Sequence, residues 1–266
     1  MDIREYLFSE VENTSFSFEI TAAEKGIFAG SKRLMQVAAE LGIRIVWVAQ
    51  DGLRFKEGKI VFKGIGYPAQ IVAAEDILLG LIGKPSGVAT AADQFVRKAR
   101  KQVRIVCGAW KKVSQENKTD LRQAIAIGGA GLRLLEEPFV YLDKNYIRMM
   151  GGIDLAVRRA RGFNARTVIV QLHGQYGTLA EEAREAVAAG AGTIMVDTGS
   201  IEDLWAVVCA GETDGWRAVT KIAYAGGVKA KDIASLVETG VDIIYVGRAI
   251  IDAPLLDFRL DVRQEE

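Results

Sequence analysis

Six short polar clusters in this 266-residue chain each follow an apolar run: Trp110-Lys111-Lys112, Asp143-Lys144-Asn145, Gln171 with His173, Asp197-Thr198, Ala225-Gly226-Gly227 and Gly247-Arg248. Two of them have the composition of a phosphate cradle. Tyr224-Ala225-Gly226-Gly227-Val228 and Ile244-Tyr245-Val246-Gly247-Arg248-Ala249 each leave an apolar run through glycine and lead into a helical pattern. Glycine lets the backbone approach an anion closely, and N–H groups at a helix start point toward it. Arg248 adds a charged contact. Asp197 suits a metal or a sugar hydroxyl, and equally the N-cap of a following helix. His173, the only histidine, follows an apolar run and precedes Gly174-Gln175-Tyr176-Gly177, where acid–base chemistry or a loop hydrogen bond would both fit. The candidate cations are Lys111, Lys112, Arg133 and Lys144; Lys144 beside Asp143 also reads as a solvated ion pair.

The elements that must position these clusters follow from periodicity. Continuous apolar runs occur at 103–107, 139–142, 167–172, 193–196, 221–224 and 243–246. Helical patterns separate them over 151–161, 178–189, 200–209 and 230–238. Apolar strands alternating with helices predict a parallel sheet covered by helices, and the repeat length suits a βα barrel. About six strands fit, so the barrel is expected to be open or irregular. In such barrels the chemistry gathers at the C-terminal strand ends, where the six clusters fall. Before them, period-2 runs at 16–20, 43–48 and 59–63 surround a helical pattern at 31–41 and predict a small α+β unit. Helical faces then cover 69–82 and 89–100, with Gly83-Lys84-Pro85-Ser86-Gly87 read as the break between them.

Composition excludes several classes. With 34 basic and 34 acidic residues, no whole-molecule field favours nucleic acid or an anionic membrane, and no basic run with interleaved aromatics appears. No stretch of about 20 apolar residues predicts a membrane span. The start, Met1-Asp2-Ile3-Arg4-Glu5, lacks the pattern of a secretory leader, and Cys107 and Cys209 read as buried thiols, so a cytoplasmic protein is expected.

Gly83-Lys84-Pro85-Ser86-Gly87-Val88-Ala89-Thr90 and Gly26-Ile27-Phe28-Ala29-Gly30, with Asp197 and the two glycine turns, together resemble the quinolinate phosphoribosyltransferase (nicotinate-nucleotide pyrophosphorylase) family of type II phosphoribosyltransferases. Gly83-Lys84-Pro85-Ser86-Gly87-Val88-Ala89-Thr90 is similar to its L-S-G-I-A-T segment, and Gly26-Ile27-Phe28-Ala29-Gly30 to its early G-x-x-A-G. The run from Ala124 to Ala130, Asp197, the Ala225-Gly226-Gly227 and Val246-Gly247 turns and the tail from Leu256 to Val262 follow in family order. The chain departs from the family at named places. T-R-K-T is replaced by Gly108-Ala109-Trp110-Lys111-Lys112, H-R by Leu132-Arg133, and K-D-N-H by Asp143-Lys144-Asn145-Tyr146. A-E-R becomes Ala74-Glu75-Asp76, and Gln171 stands near the place of a strand glutamate.

The resemblance implies an α/β fold: an N-terminal α/β sandwich, residues 1–88 with the tail 254–266, and an open βα barrel, residues 89–253. It implies a homodimer or higher homo-oligomer and an enzyme of NAD biosynthesis. That enzyme would transfer ribose 5-phosphate from PRPP to quinolinate or another aromatic nitrogen acceptor. Ala225, Gly226, Gly227, Val246, Gly247 and Arg248 would hold the phosphate. Asp197 would hold ribose hydroxyls or Mg²⁺, and Arg133, Lys111 and Lys112 the pyrophosphate or acceptor. Two other readings stay open on the residues. One is a phosphosugar isomerase or lyase using His173, Asp143 or Lys144 as acid and base. The other is a non-catalytic phospho-ligand-binding homologue.

Overall fold

A computed structural model describes residues 3–163 and 165–263. Met1 and Asp2 at the chain start, and residues 264–266 of the expected tail, lie outside the described residues. The chain divides into two units. The first holds residues 1–94, 110–129 and 250–266, and the second 95–109 and 130–249.

The first unit begins with α1 (Ile3–Phe8), β1 (Phe16–Ala22), β2 (Gly26–Ile27), α2 (Ser31–Glu40), β3 (Arg44–Val48), β4 (Arg54–Phe55), β5 (Ile60–Gly66) and α3 (Pro68–Lys98). β6 (Arg104–Val106) of the second unit is followed by a 3₁₀ turn (Ala109–Lys112) and α4 (Gln115–Ile127), of which residues 110–127 belong to the first. There follow β7 (Phe139–Leu142), α5 (Lys144–Met150), α6 (Ile153–Arg161), β8 (Thr167–Leu172), α7 (Leu179–Ala189), β9 (Thr193–Asp197) and α8 (Ile201–Thr213). β10 (Lys221–Ala225), α9 (Ile233–Glu238), β11 (Ile243–Tyr245), α10 (Arg248–Ile251) and β12 (Phe258–Arg263) complete the chain.

The first unit is an antiparallel sheet in the order β12-β1-β5-β3, so the tail closes the N-terminal sheet as expected. Phe18, Ile20, Val61 and Phe62 bury one face against Leu34, Leu78, Ile82 and Phe258. An ion pair fixes the closing strand. Glu19 on β1 meets Lys63 at 2.7 Å and Arg263 of β12, and these cations, Lys63 first, hold its carboxyl below the usual range against the opposing effect of burial.

The expected break at Gly83–Gly87 is absent: α3 runs unbroken for 31 residues with Pro85 inside it. Tertiary contacts hold this stretch of the helix from outside. Leu256 donates its backbone N–H to the Gly83 carbonyl at 3.0 Å, and the Ser86 hydroxyl accepts from the Ala29 N–H at 3.1 Å. A Cβ at Gly83 would come within 3.0 Å of the Leu256 carbonyl, and one at Gly87 would overlap Pro254. These glycines therefore admit the returning chain; they do not end the helix.

The second unit is a six-stranded parallel sheet in the order β6-β11-β10-β9-β8-β7. Its first strand pairs with its last, and its second strand is the other edge, which is the topology of the expected open βα barrel. Val106, Leu134, Leu135, Ile169, Met195, Ala223, Ala225 and Ile243 form its interior, flanked by Phe139, Tyr141 and Tyr245. The cysteines depart from expectation. Cys107 is buried at the end of β6, but Cys209 is exposed, because α8 buries the face carrying Leu204, Val207 and Val208.

Candidate active site at the strand exits

Parallel strands send all their C-terminal ends the same way, so the exits of β6 to β11 form one rim of the second unit. Period 2 along each strand decides which side chains turn inward. On β8 these are Ile169 and Gln171, and on β9 Met195 and Asp197. Gln171 Nε2 donates to Asp197 Oδ2 in a short hydrogen bond. Ser200, not Asp197, caps α8, accepting from the Asp203 N–H at 3.1 Å. That separates the two uses open to Asp197: its carboxylate is half-buried on the inner face, held by an amide.

Two tyrosines complete this layer. The Tyr141 hydroxyl donates to the Met195 sulfur at 3.2 Å, a weak acceptor. Burial pushes its phenol well above the ordinary value, and the negative charges of Asp197, Tyr245 and Asp143 add to the shift. Burial likewise pushes the Tyr245 phenol up to about 12. A Cβ at Gly108 would stand 2.6 Å from the Tyr245 hydroxyl, so glycine at the β6 exit makes room for that ring. Both phenols stay protonated at neutral pH and can donate hydrogen bonds inward.

The glycine exits are built from backbone. Gly226 has φ +116°, and a Cβ there would lie 2.5 Å from the Gly199 Cα. The β9 and β10 loops thus cross glycine on glycine, with the Gly199 N–H donating to the Ala225 carbonyl at 3.3 Å. Gly227 has φ +73° with open space around its missing Cβ, and Gly247 has only ordinary contacts at 3.9 Å. The helices after these loops are short, and the first starts later than the periodicity predicts. α9 begins at Ile233, not 230, because the Asp232 carboxylate accepts the Lys229 N–H at 2.8 Å and ties off a turn first. α10 spans four residues, and Arg248, exposed, opens it. Any anion here would meet loop N–H groups more than a helix end.

The remaining candidates are placed as follows. The Asp143 carboxylate caps α5, accepting from the N–H groups of Asn145 at 2.8 Å and Tyr146 at 3.1 Å. Lys144 is the exposed first residue of that helix, and no ion pair with Asp143 forms among the described contacts. The exposed Arg133 lies over the Phe139 ring at 5.1 Å. Lys111 and Lys112 belong to the first unit, exposed on the 3₁₀ turn, with the Lys111 ammonium 5.9 Å from the Trp110 ring centre. His173 is the first residue beyond β8, its Nε2 buried without a hydrogen-bond partner.

Sequence reasoning missed Glu182. Only 2% exposed on α7, its carboxylate accepts four consecutive backbone N–H groups, from His173, Gly174, Gln175 and Tyr176. An acid on the buried face of an otherwise amphipathic helix, beside Leu179, Ala183 and Ala186, was the signal that could have found it. Among the described residues no group of three or more His, Cys, Asp or Glu side chains gathers around one point. No described helix is long and apolar enough to cross a membrane.

Comparison with known proteins agrees with this architecture. A protein of Methanothermobacter thermautotrophicus described as probable nicotinate-nucleotide pyrophosphorylase (carboxylating) is 28% identical over 249 residues, covering 92% of this chain and 88% of its own. The human nicotinate-nucleotide pyrophosphorylase (carboxylating) is 24% identical, covering 92% and 82%. The nicotinate-nucleotide pyrophosphorylase structure from Francisella tularensis superposes with a TM-score of 0.82 at 22% identity, over 99% of this chain and 91% of that one, a likeness of fold. The family models for the quinolinate phosphoribosyl transferase N-terminal and C-terminal domains match residues 2–86 and 88–261. With both domains matched in order along nearly its whole length, the chain belongs to the quinolinate phosphoribosyl transferase family.

Proposed function

We propose that this protein is an enzyme that transfers the phosphoribosyl group of PRPP to the ring nitrogen of an aromatic acceptor, with quinolinate the acceptor its family points to. The observation that carries the reading is the inward Asp197 carboxylate, held by Gln171 beside the open backbone of Gly227. In the reaction the bond between ribose C1 and the pyrophosphate oxygen breaks, its electron pair leaving with pyrophosphate. The lone pair of the acceptor nitrogen forms the new bond to C1. The chain supplies position and charge: the loops at Gly226-Gly227 and Val246-Gly247-Arg248 take the 5-phosphate, and Asp197 takes the ribose hydroxyls or a Mg²⁺ ion that screens pyrophosphate. A carboxylate near C1 also favours the positive charge that develops there as the bond breaks. Arg133 and Lys144 are the cations of the second unit available for pyrophosphate and acceptor carboxylates. On this reading the assembly is a homodimer or a higher homo-oligomer, as the family resemblance implies.

One observation favours a less charged acceptor as a second reading. Asp143, at the place of the family's lysine, is a helix cap, and the inner layer beside it carries Tyr141, Gln171 and Tyr245. Thermal unfolding with PRPP, ribose 5-phosphate or phosphate, each with and without Mg²⁺, tests the donor. A ligand at about 100 times its Kd adds roughly 2.7 kcal/mol, several degrees for a chain this size. A PRPP shift beyond the other two supports the transferase, and equal shifts would overturn it. Pyrophosphate release with quinolinate, nicotinate and nicotinamide then ranks the acceptors.

A further inference from the structure

The loop after β8 is held by two anchors that the reaction just described does not use. Glu182 receives its four N–H groups at 3.3, 2.9, 2.5 and 2.7 Å, in order from His173 to Tyr176. A buried carboxylate is costly unless it is well solvated by the protein, and here backbone dipoles supply that solvation. The helix does not need Glu182 for its own start. Thr178 and Glu181 already form a complete capping box at α7. The Glu182 carboxylate is therefore committed to the loop. From the other side, Arg148 of α5 donates through Nε to the Gln175 side-chain oxygen at 2.9 Å. Gly174, at φ +69°, lets the chain turn back within so few residues, and its absent Cβ leaves space for Leu179.

What the two anchors hold in place is His173. It is the first residue beyond β8, two positions after Gln171, the side chain that grips Asp197. Its backbone N–H is spent on Glu182, whereas its ring Nε2 is buried with no partner. A buried polar atom left open at a substrate rim is a place where a ligand atom completes the hydrogen bonding. We propose that Glu182 is a positioning residue that fixes the 173–176 loop, and that His173 Nε2 thereby contacts the bound phosphosugar next to Asp197. This rests on the phosphoribosyl-transfer reading, since it takes PRPP as the ligand.

The chain has one histidine, so the ring nitrogens of the untagged protein give signals that need no assignment. Adding PRPP with Mg²⁺ should move the Nε2 resonance. His173→Gln should raise KM for PRPP roughly tenfold, the loss of about one hydrogen bond, with kcat less affected. Glu182→Gln should speed hydrogen exchange at 173–176 and raise the same KM. The double variant should be no worse than the poorer single, because both act on one contact. Should Glu182→Gln fail to fold, Arg148→Ala releases the other anchor and should raise KM in the same direction by a smaller factor. An Nε2 resonance unmoved by PRPP that raises the melting temperature would overturn the proposal and leave the transferase reading standing. So would an unchanged KM in His173→Gln. PRPP that neither raises the melting temperature nor releases pyrophosphate would overturn both.

Discussion

The exits of β8 and β9 are held by side chains, and those of β10 and β11 by backbone. At the first pair, Gln171 fixes Asp197, and Glu182 gathers four amides around the loop that carries His173. At the second pair, Gly226 and Gly199 cross so closely that no Cβ fits, and Gly227 stands open beside them. The difference separates what a residue does for the fold from what it offers a ligand. Asp197 and Gly227 are the positions proposed to meet the ligand, each set among well-supported neighbours, whereas Gln171, Glu182 and Gly226 are the support. Substitution should therefore strike activity at one set and stability at the other.

Asp197→Asn gives the largest expected effect on activity. It keeps the shape and removes the charge, so kcat should fall by roughly 10²–10³, about 3–4 kcal/mol, as for a preorganised group aimed at developing charge. Its melting temperature should stay within a few degrees of the parent, since a half-buried side chain changes by one atom. Steady-state kinetics alongside calorimetry checks both, and a large loss of stability with intact kcat would reverse the assignment. Gly226→Ala should do the opposite. The left-handed φ and the overlap with Gly199 together cost roughly 3 kcal/mol, about 6–12 °C in melting temperature.

Gly227→Ala sharpens the contrast one residue away. Only the φ of +73° opposes a side chain there, since nothing lies within 4 Å of its Cβ, so the expected cost is about 1–2 kcal/mol. The methyl group would nonetheless stand where the 5-phosphate is proposed to bind. KM for PRPP should thus rise more in Gly227→Ala than its small loss of stability implies. Equal KM in this variant and the parent would move the phosphate away from this loop.

The same contrast explains what could be read from the residues beforehand. The six parallel strands announce themselves because both faces are buried, which leaves apolar runs such as Thr167–Leu172 with no competing helix period. The glycine turns and Asp197 were visible for a related reason: their types are unusual where a strand ends. The support around them was hidden. Glu182 lies within an acidic helix start beside Glu181, and only three dimensions show that one carboxylate caps the helix while the other points into the loop. Tyr141 and Tyr245 passed as strand residues, since nothing local tells an inward phenol from a core aromatic. Pro85 reads as a break because the chain that packs along this turn, Pro254 to Leu256, lies some 170 positions away. Contacts that only the folded chain makes, whether across a few residues or many, are the unreadable part.

Cys107 tests whether the backbone exits are as rigid as their geometry implies, and it carries the smallest effect. Its thiol donates to the Gly247 carbonyl at 3.8 Å, and burial pushes it up to about 11. An unfolded cysteine ionises near 8.5. Between the two values the folded chain binds the extra proton, so stability is fully present below the unfolded value and falls as pH rises toward the folded one. By pH 9 the loss should be under about 1 kcal/mol, and it should grow until the Tyr245 phenol, raised to about 12, extends the same trend. Denaturant unfolding from pH 7 to 10 measures it, and Cys107→Val should flatten the curve. At pH 8 iodoacetamide should label the exposed Cys209 and spare Cys107. Rapid labelling of Cys107 in the native protein would mean that β6 and the Gly247 turn separate readily, and the phosphate-binding backbone proposed at that turn would then lack its footing.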